Sequence, residues 1–188
     1  ACVIATGLPV YMRLDMKEHI IRTPKRSPFL MKLRIGADEK GRIIGAEHYW
    51  HVDHGPYSEA SEKLTNMGGL FFCAPYGVEN IRGCGYTHFT NHKWCGAFRA
   101  YGAPQTYTAG EIAIDMLAEK VGMDPLEFRE KNVMRPGDTM PGGQRPEAYP
   151  LPAMITRLKP LYEEAKKRAA ALSTDRIKRG VGIAIGIY

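Results

Sequence analysis

The sequence predicts an α+β fold, a long antiparallel hairpin followed by helices, and three observations predict it. Apolar residues alternate through FLMKLRIGA and again through RIIGAEHYWHVD, with the turn DEKG between them. Ile112, Met116, Leu117 and Val121 recur at helical spacing in a segment that opens at Pro104 and stops at Gly122. MDPLEF then sets Asp124 at an N-cap, Pro125 at the first helical position and Glu127 at the third, the form of a capping box.

Taken in order, ACVIATGLPV reads as the end of a helix followed by a Gly/Pro turn, and VYMRLDMKEHI as a strand. The hairpin follows, with Phe29, Met31, Leu33 and Ile35 on one face of its first strand. Ile44, Ala46, His48, Trp50 and Val52 share a face of the second. HGPYSEASEKL is a loop entering a short helix, and the Gly- and aromatic-rich stretch from Gly68 to His92 reads as irregular connections around a strand. After the helices at 104–121 and from Asp124, residues 134–150 are a Pro/Gly-rich loop. A third helix over about Pro152–Leu172 is expected to kink at Pro160. A strand is expected to open at Gly180. Three parts result: a hairpin part over about 1–58, a loop and helical part over 59–179, and a further strand over 180–188. Both ends read as cut within an element, so the chain is expected to be a fragment of a larger protein.

Composition narrows the function classes. Of 188 residues, 44% are hydrophobic and 24% charged, as in an ordinary globular protein. No apolar run approaches the roughly 20 residues of a membrane span, so no membrane association is expected. The net charge is +6, and residues 153–179 carry most of it, without the interleaved aromatics of a nucleic-acid surface. No nucleic-acid partner is expected. Cys2, Cys73, Cys84 and Cys95 are expected to be free thiols in a reducing cytoplasm.

Several chemical constellations fail on spacing. His48, His51 and His54 recur every third residue, and on a strand that step sends neighbours to opposite faces. Cys84, His88, His92 and Cys95 carry zinc-type ligands, but C-x3-H-x3-H-x2-C matches no common finger. Gly83-Cys84-Gly85 lacks the third glycine of a dinucleotide fingerprint. Asp53 and Glu59 flank a glycine turn, where turn stabilisation is the expected role.

GAFRAYGAPQ, Gly96 to Gln105, is different. Gly96, Ala97, Ala100, Gly102 and Ala103 let a ligand approach the backbone closely. The helix after Pro104 turns its partially positive N-terminus back toward the loop, a natural seat for an anionic group. Phe98 and Tyr101 can wall a pocket, and Arg99 can tie the loop to structure behind it. The same features suit a tight strand-to-helix connection that serves packing alone, and the residues by themselves leave both readings open.

The run AFRAYGAPQ resembles the F-R-G-[FY]-G-x-P-Q signature of the xanthine oxidase family of molybdenum hydroxylases. TGLPV, KRSPF, VDHGPYSE, NIRG, IDMLAEKVGMDPLEFREKN, RPGDTMPGGQ and KRGVGIAIGIY extend the resemblance over essentially the whole chain. Within the family the wording is nearest to bacterial aldehyde oxidoreductases. The resemblance implies part of a molybdopterin-binding oxidoreductase that hydroxylates aldehydes to carboxylic acids with oxygen from water. It implies a molybdenum–molybdopterin cofactor in a dinucleotide form, with iron–sulfur clusters, and in some members FAD, on other domains or subunits. An aldehyde substrate, the remaining domains and a homodimeric intact enzyme are the implied partners.

Residue by residue, Phe98, Arg99 and Ala100 fall at cofactor-binding positions, with the Arg99 main-chain N–H nearest the metal. Tyr101 and Met67 fall in the substrate pocket, and an apolar Met67 stands where purine hydroxylases carry an arginine. No residue matches the base glutamate, so this fragment is expected to supply one wall of the active site, to hold no catalytic residue and to be inactive alone. Ala100 replaces a usual glycine, and Leu8 stands where an arginine is common. Two rival readings of the residues are a non-catalytic zinc-binding module on Cys84, His88, His92 and Cys95, and a basic interaction domain.

Overall fold

The computed structural model describes residues 1–57 and 59–187, so Ser58 of VDHGPYSE and Tyr188 lie outside the described residues. The fold is mixed α+β, as the sequence predicts. In chain order the elements are α1 (Cys2–Thr6), α2 (Met16–Arg22), β1 (Phe29–Ala37), β2 (Ile43–Asp53), α3 (Ser61–Leu70), β3 (Ile81–His88), α4 (Ala103–Lys120), α5 (Pro125–Asn132) and α6 (Leu151–Ala171).

The expected strand in VYMRLDMKEHI is instead an irregular run followed by α2. Asp15 accepts from the Glu18 N–H at 2.8 Å, and the Glu18 carboxylate accepts from the Asp15 N–H at 3.1 Å. This reciprocal capping box decides for helix over the apolar alternation before it. At the other end of α2, Lys25 Nζ donates to His19 O, and Lys93 Nζ donates to Ile20 O and Ile21 O, so two cations meet the last carbonyls.

β1 and β2 form the expected antiparallel hairpin, and β3 joins parallel to β2, giving the order β1-β2-β3. Asp38 closes the turn by accepting from the Lys40 and Arg42 N–H groups. The expected face of β2 needs one correction, because Gly36 pairs with Gly45 while Ala37 pairs with Ile43. Ile44 is therefore the extra residue of a bulge and is 56% exposed, while Ile43 turns inward. Ala46, His48, Trp50 and Val52 are buried together as expected.

Trp50 organises the inner face of the sheet. Its indole N–H donates to Thr65 O at 2.9 Å, and its ring stacks on His48 with centroids 4.1 Å apart. A Cβ on Gly83 or Gly85 would collide with His48 O or the Trp50 ring, so this G-x-G pair exists to let an indole cross β3.

The helices pack against that face in a way the apolar spacing misplaces. The buried residues of α4 are Ala103, Thr106, Gly110, Glu111, Ile114 and Ala118, whereas Ile112 and Met116 of the expected stripe are exposed. A polar group occupies the buried face because its partners do too. Arg129, fully buried on α5, bonds Glu111 through Nε at 3.0 Å and reaches Asp115 through Nη1 at 2.6 Å. Tyr76 OH and the Ile185 N–H also donate to Glu111. The second of these bonds replaces a ladder. Residues 180–187 pair with no described strand, contrary to expectation, but run against Leu126, Leu151 and Ile155. Pro160 lies inside α6, as read.

Candidate cofactor-binding loop

The loop Gly96–Gly102 is suspended between the hairpin and the start of α4. Its base is fixed by backbone bonds, Lys25 N–H to Trp94 O at 3.2 Å and Gly96 N–H to Lys25 O at 3.1 Å. Tight turns close its tip, with Tyr101 N–H donating to Phe98 O at 2.9 Å and Ala103 N–H to Ala100 O at 2.8 Å. Ala100 has φ 63°, the left-handed region that glycine enters at least cost. Gly102, at φ 88°, holds a backbone conformation that side chains rarely adopt, and a Cβ there would come within 3.1 Å of Met67 Cβ, a tight contact.

The sequence assigns the tie behind the loop to Arg99, and the structure assigns it to Arg26. The Arg99 side chain is exposed and forms no hydrogen bond or ion pair among the described residues. Arg26 Nη2 instead donates to Arg99 O at 2.7 Å, and its guanidinium lies 4.8 Å from the centre of the Phe98 ring. The Arg99 N–H meets no acceptor among the described residues. Among the described residues the N–H groups of Ala97, Phe98, Ala100 and Gly102 likewise meet no acceptor, so the loop offers several donors.

Met67 and Tyr101 come to the same flank. Met67 touches the loop at Gly102, and the Tyr101 ring packs on the cluster of Trp50, Val52 and Leu64. Tyr101 OH donates to Ala60 O at 2.6 Å, and burial raises its pKa above the ordinary phenol value. Its hydroxyl is thus a structural donor, and only the ring is offered to a neighbouring space.

Behind the loop lies a polar knot that sequence reasoning missed. Gln105 Nε2 donates to Ser27 O at 3.0 Å, and Ser27 Oγ pairs with His54 Nδ1 at 3.1 Å. Arg26 Nη1, Gln105 Oε1, His54 Nε2 and Trp94 Nε1 are buried without a partner among the described residues. Unpaired buried polar atoms are costly, and four in one neighbourhood mark a place built to meet another group. The only hint in the sequence was that KRSPF and the glutamine after Pro104 both carry polar side chains beside elements that pack.

The rival zinc set does not assemble. His88 pairs with His51 at 2.8 Å, His92 pairs with Asp53, and buried Cys95 Sγ donates to Lys93 O at 3.3 Å. Among the described residues no group of three or more His, Cys, Asp or Glu side chains is placed to hold a metal ion. Asp53 acts in the turn, as its position suggested. Burial opposes its ionisation, but bonds from His92, Thr90 and the Gly55 N–H outweigh that and draw its pKa down to about 2. All four cysteines are free.

A free loop N–H, small residues at the close approaches, unpartnered polar atoms behind and a helix N-terminus beside them fit an anionic, polar cofactor. The comparisons with known proteins agree. The molybdopterin cofactor-binding domain family matches residues 1–133. The chain belongs to that family, the cofactor-binding part of the molybdenum hydroxylases. It is 51% identical over 185 residues to the aldehyde oxidoreductase of Megalodesulfovibrio gigas, covering 98% of this chain and 20% of that protein. It is 30% identical, over 97% of its length, to a putative xanthine dehydrogenase molybdenum-binding subunit of Escherichia coli (strain K12), of which it covers 24%. Among solved structures, the aldehyde oxidoreductase of Desulfovibrio desulfuricans ATCC 27774 superposes with a TM-score of 0.92 at 49% identity, over all of this chain and 21% of that one. The chain therefore spans about a fifth of the length of the aldehyde oxidoreductases it matches.

Proposed function

We propose that this chain forms one wall of the molybdenum site of an aldehyde oxidoreductase that converts aldehydes to carboxylic acids with oxygen from water. The observation that carries the reading is a loop whose carbonyls at Phe98, Arg99 and Ala100 are tied while the Arg99 N–H meets no acceptor among the described residues. The molybdenum–molybdopterin group, when bound, supplies the two-electron oxidation. The chain's own residues hold and orient. Arg99 presents its main-chain N–H, Arg26 fixes the loop through Arg99 O and Phe98, and Ala100 and Gly102 give the backbone its bend. Gln105 Oε1 and Arg26 Nη1 supply an acceptor and a donor behind it. Met67 and the Tyr101 ring line the substrate side, and an apolar Met67 suits an aldehyde better than a purine, which needs polar partners. No residue here serves as general base, so the 188-residue chain alone is inactive.

The dinucleotide form of the pterin, iron–sulfur and possible FAD centres on other domains, a homodimeric parent and a cytoplasmic setting belong to the same reading. Among the described residues no helix is long and apolar enough to cross a membrane. Dye-linked oxidation by the purified parent enzyme tests the proposal. Aldehydes should be turned over and purines should not, and purine turnover without aldehyde turnover would overturn the substrate assignment.

A further inference from the structure

The outer edge of β1 is open, and it is built to be paired. Successive residues of a strand turn their backbone groups to opposite edges, and two bonds fix the sides here. Ala46 N–H donates to Asn80 O at the β3 side of β2, and Asp53 N–H donates to Pro28 O at the β1 side. With Arg34 opposite Glu47 and Lys32 opposite Tyr49, the backbone groups of Lys32 and Arg34 face β2. Those of Met31, Leu33 and Ile35 face away, and among the described residues no strand lies beyond them.

Natural edges carry defences, and this one carries few, two cations and a bulge at one end. The nine residues of β1 include no proline, and the only irregularity lies at its end, between Gly36 and Ala37. Its charges, Lys32 and Arg34, stand on the open face, where Arg34 pairs with Glu47. Beside the edge runs a groove of about 600 Å3 between β1 and α4. Met31, Leu33 and Ile35 line one side of it, and Ile112, Met116 and Leu117 the other. Ile112 is 56% and Met116 65% exposed, so the apolar floor is uncovered. The lining also includes Arg34 and Lys120 and no acidic side chain.

We propose that an extended segment from the remaining polypeptide of the parent enzyme adds to β1 as a fourth strand. It pairs with Met31, Leu33 and Ile35 through main-chain hydrogen bonds. Its alternate apolar side chains lie on Ile112, Met116 and Leu117, and its charges are predominantly acidic, to match Arg34 and Lys120. The aldehyde oxidoreductase relatives are about five times as long as this chain, which supplies the occupant, and an added strand satisfies the open main-chain donors and acceptors of the edge. The inference rests on membership of a longer enzyme and not on the molybdenum site.

Amide hydrogen exchange tests it without turnover. In the parent holoenzyme the Met31, Leu33 and Ile35 amides should exchange at least about a hundredfold more slowly than in the 188-residue chain. Equally fast exchange in both overturns the proposal. Slowing in the isolated chain that grows with concentration, together with a dimer mass by light scattering, overturns it in favour of a second copy. Ile112→Glu gives a second arm. It should leave the melting temperature of the isolated chain nearly unchanged, lower that of the parent, and speed the Leu33 amide there. An unchanged parent contradicts the strand.

Discussion

Ala100 holds a left-handed backbone conformation that costs an L-residue about 1 kcal/mol or more. Ala100→Gly should therefore stabilise the chain by about 1 kcal/mol, a rise of about 2–4 °C in melting temperature. A fall in a thermal melt would contradict the loop geometry. His48 offers a second test. Burial between Trp50 and Phe72 lowers its pKa from 6.5 to about 4, so the folded state keeps it neutral. As pH falls from about 6.5 toward 4, the unfolded chain takes up a proton that the folded chain refuses, and stability falls across that window. The loss from this residue reaches about 2–3 kcal/mol by pH 4.5. His48→Phe keeps a stacked ring without the proton acceptor, so urea unfolding at pH 7 and 4.5 should show a smaller difference than in the natural sequence. At this scale the sequence assigns the bracing of the loop to the wrong arginine. Arg99 is the more conspicuous cation, set among the aromatics, yet Arg26, distant in sequence, makes the contacts. Spacing along a chain carries no information on which arginine reaches a loop from behind.

At the level of elements, alternation located β1 and β2, and turn chemistry located the starts of α4 and α5. The failures share a cause, which is that apolar periodicity was read where a specific bond decides. Asp15 and Glu18 convert an alternating run into α2, one bulge residue rotates Ile44 outward, and Glu111 draws the polar side of α4 into the core. The glycine pair in β3 was legible only as a weak fingerprint, because its cause, the Trp50 ring, lies on another strand. Gly85→Ala should cost about 1–3 kcal/mol through overpacking against that ring. In a Trp50→Leu background the same change should cost much less, and a double-mutant cycle by chemical denaturation reads the difference. Equal costs in both backgrounds would remove Trp50 as the reason for the glycine.

For the whole molecule, the Glu111–Arg129 pair joins α4, α5, the Tyr76 turn and the segment at Ile185. Arg129→Ala leaves a buried carboxylate without its cation and should cost about 3–5 kcal/mol. A loss under about 1 kcal/mol in denaturant unfolding would show that the network is not what couples these parts. Exposed apolar side chains are concentrated on the first 21 residues, with Ile4, Tyr11 and Met16 mostly bare, and recur on α6 at Met154, Leu158 and Leu161 and on α4 at Ile112 and Met116. Those surfaces suit a chain that works inside a larger enzyme. The central claim, that the Arg99 main chain and not its side chain serves the cofactor, is tested most directly by molybdenum content in the parent. Arg99→Ala keeps the N–H and removes a side chain with no described partner. Arg99→Pro deletes the N–H and fixes φ near −65°. The account predicts that the Ala variant retains most of its molybdenum while the Pro variant loses most of it. A well-folded Ala variant as empty of molybdenum as the Pro variant would contradict it.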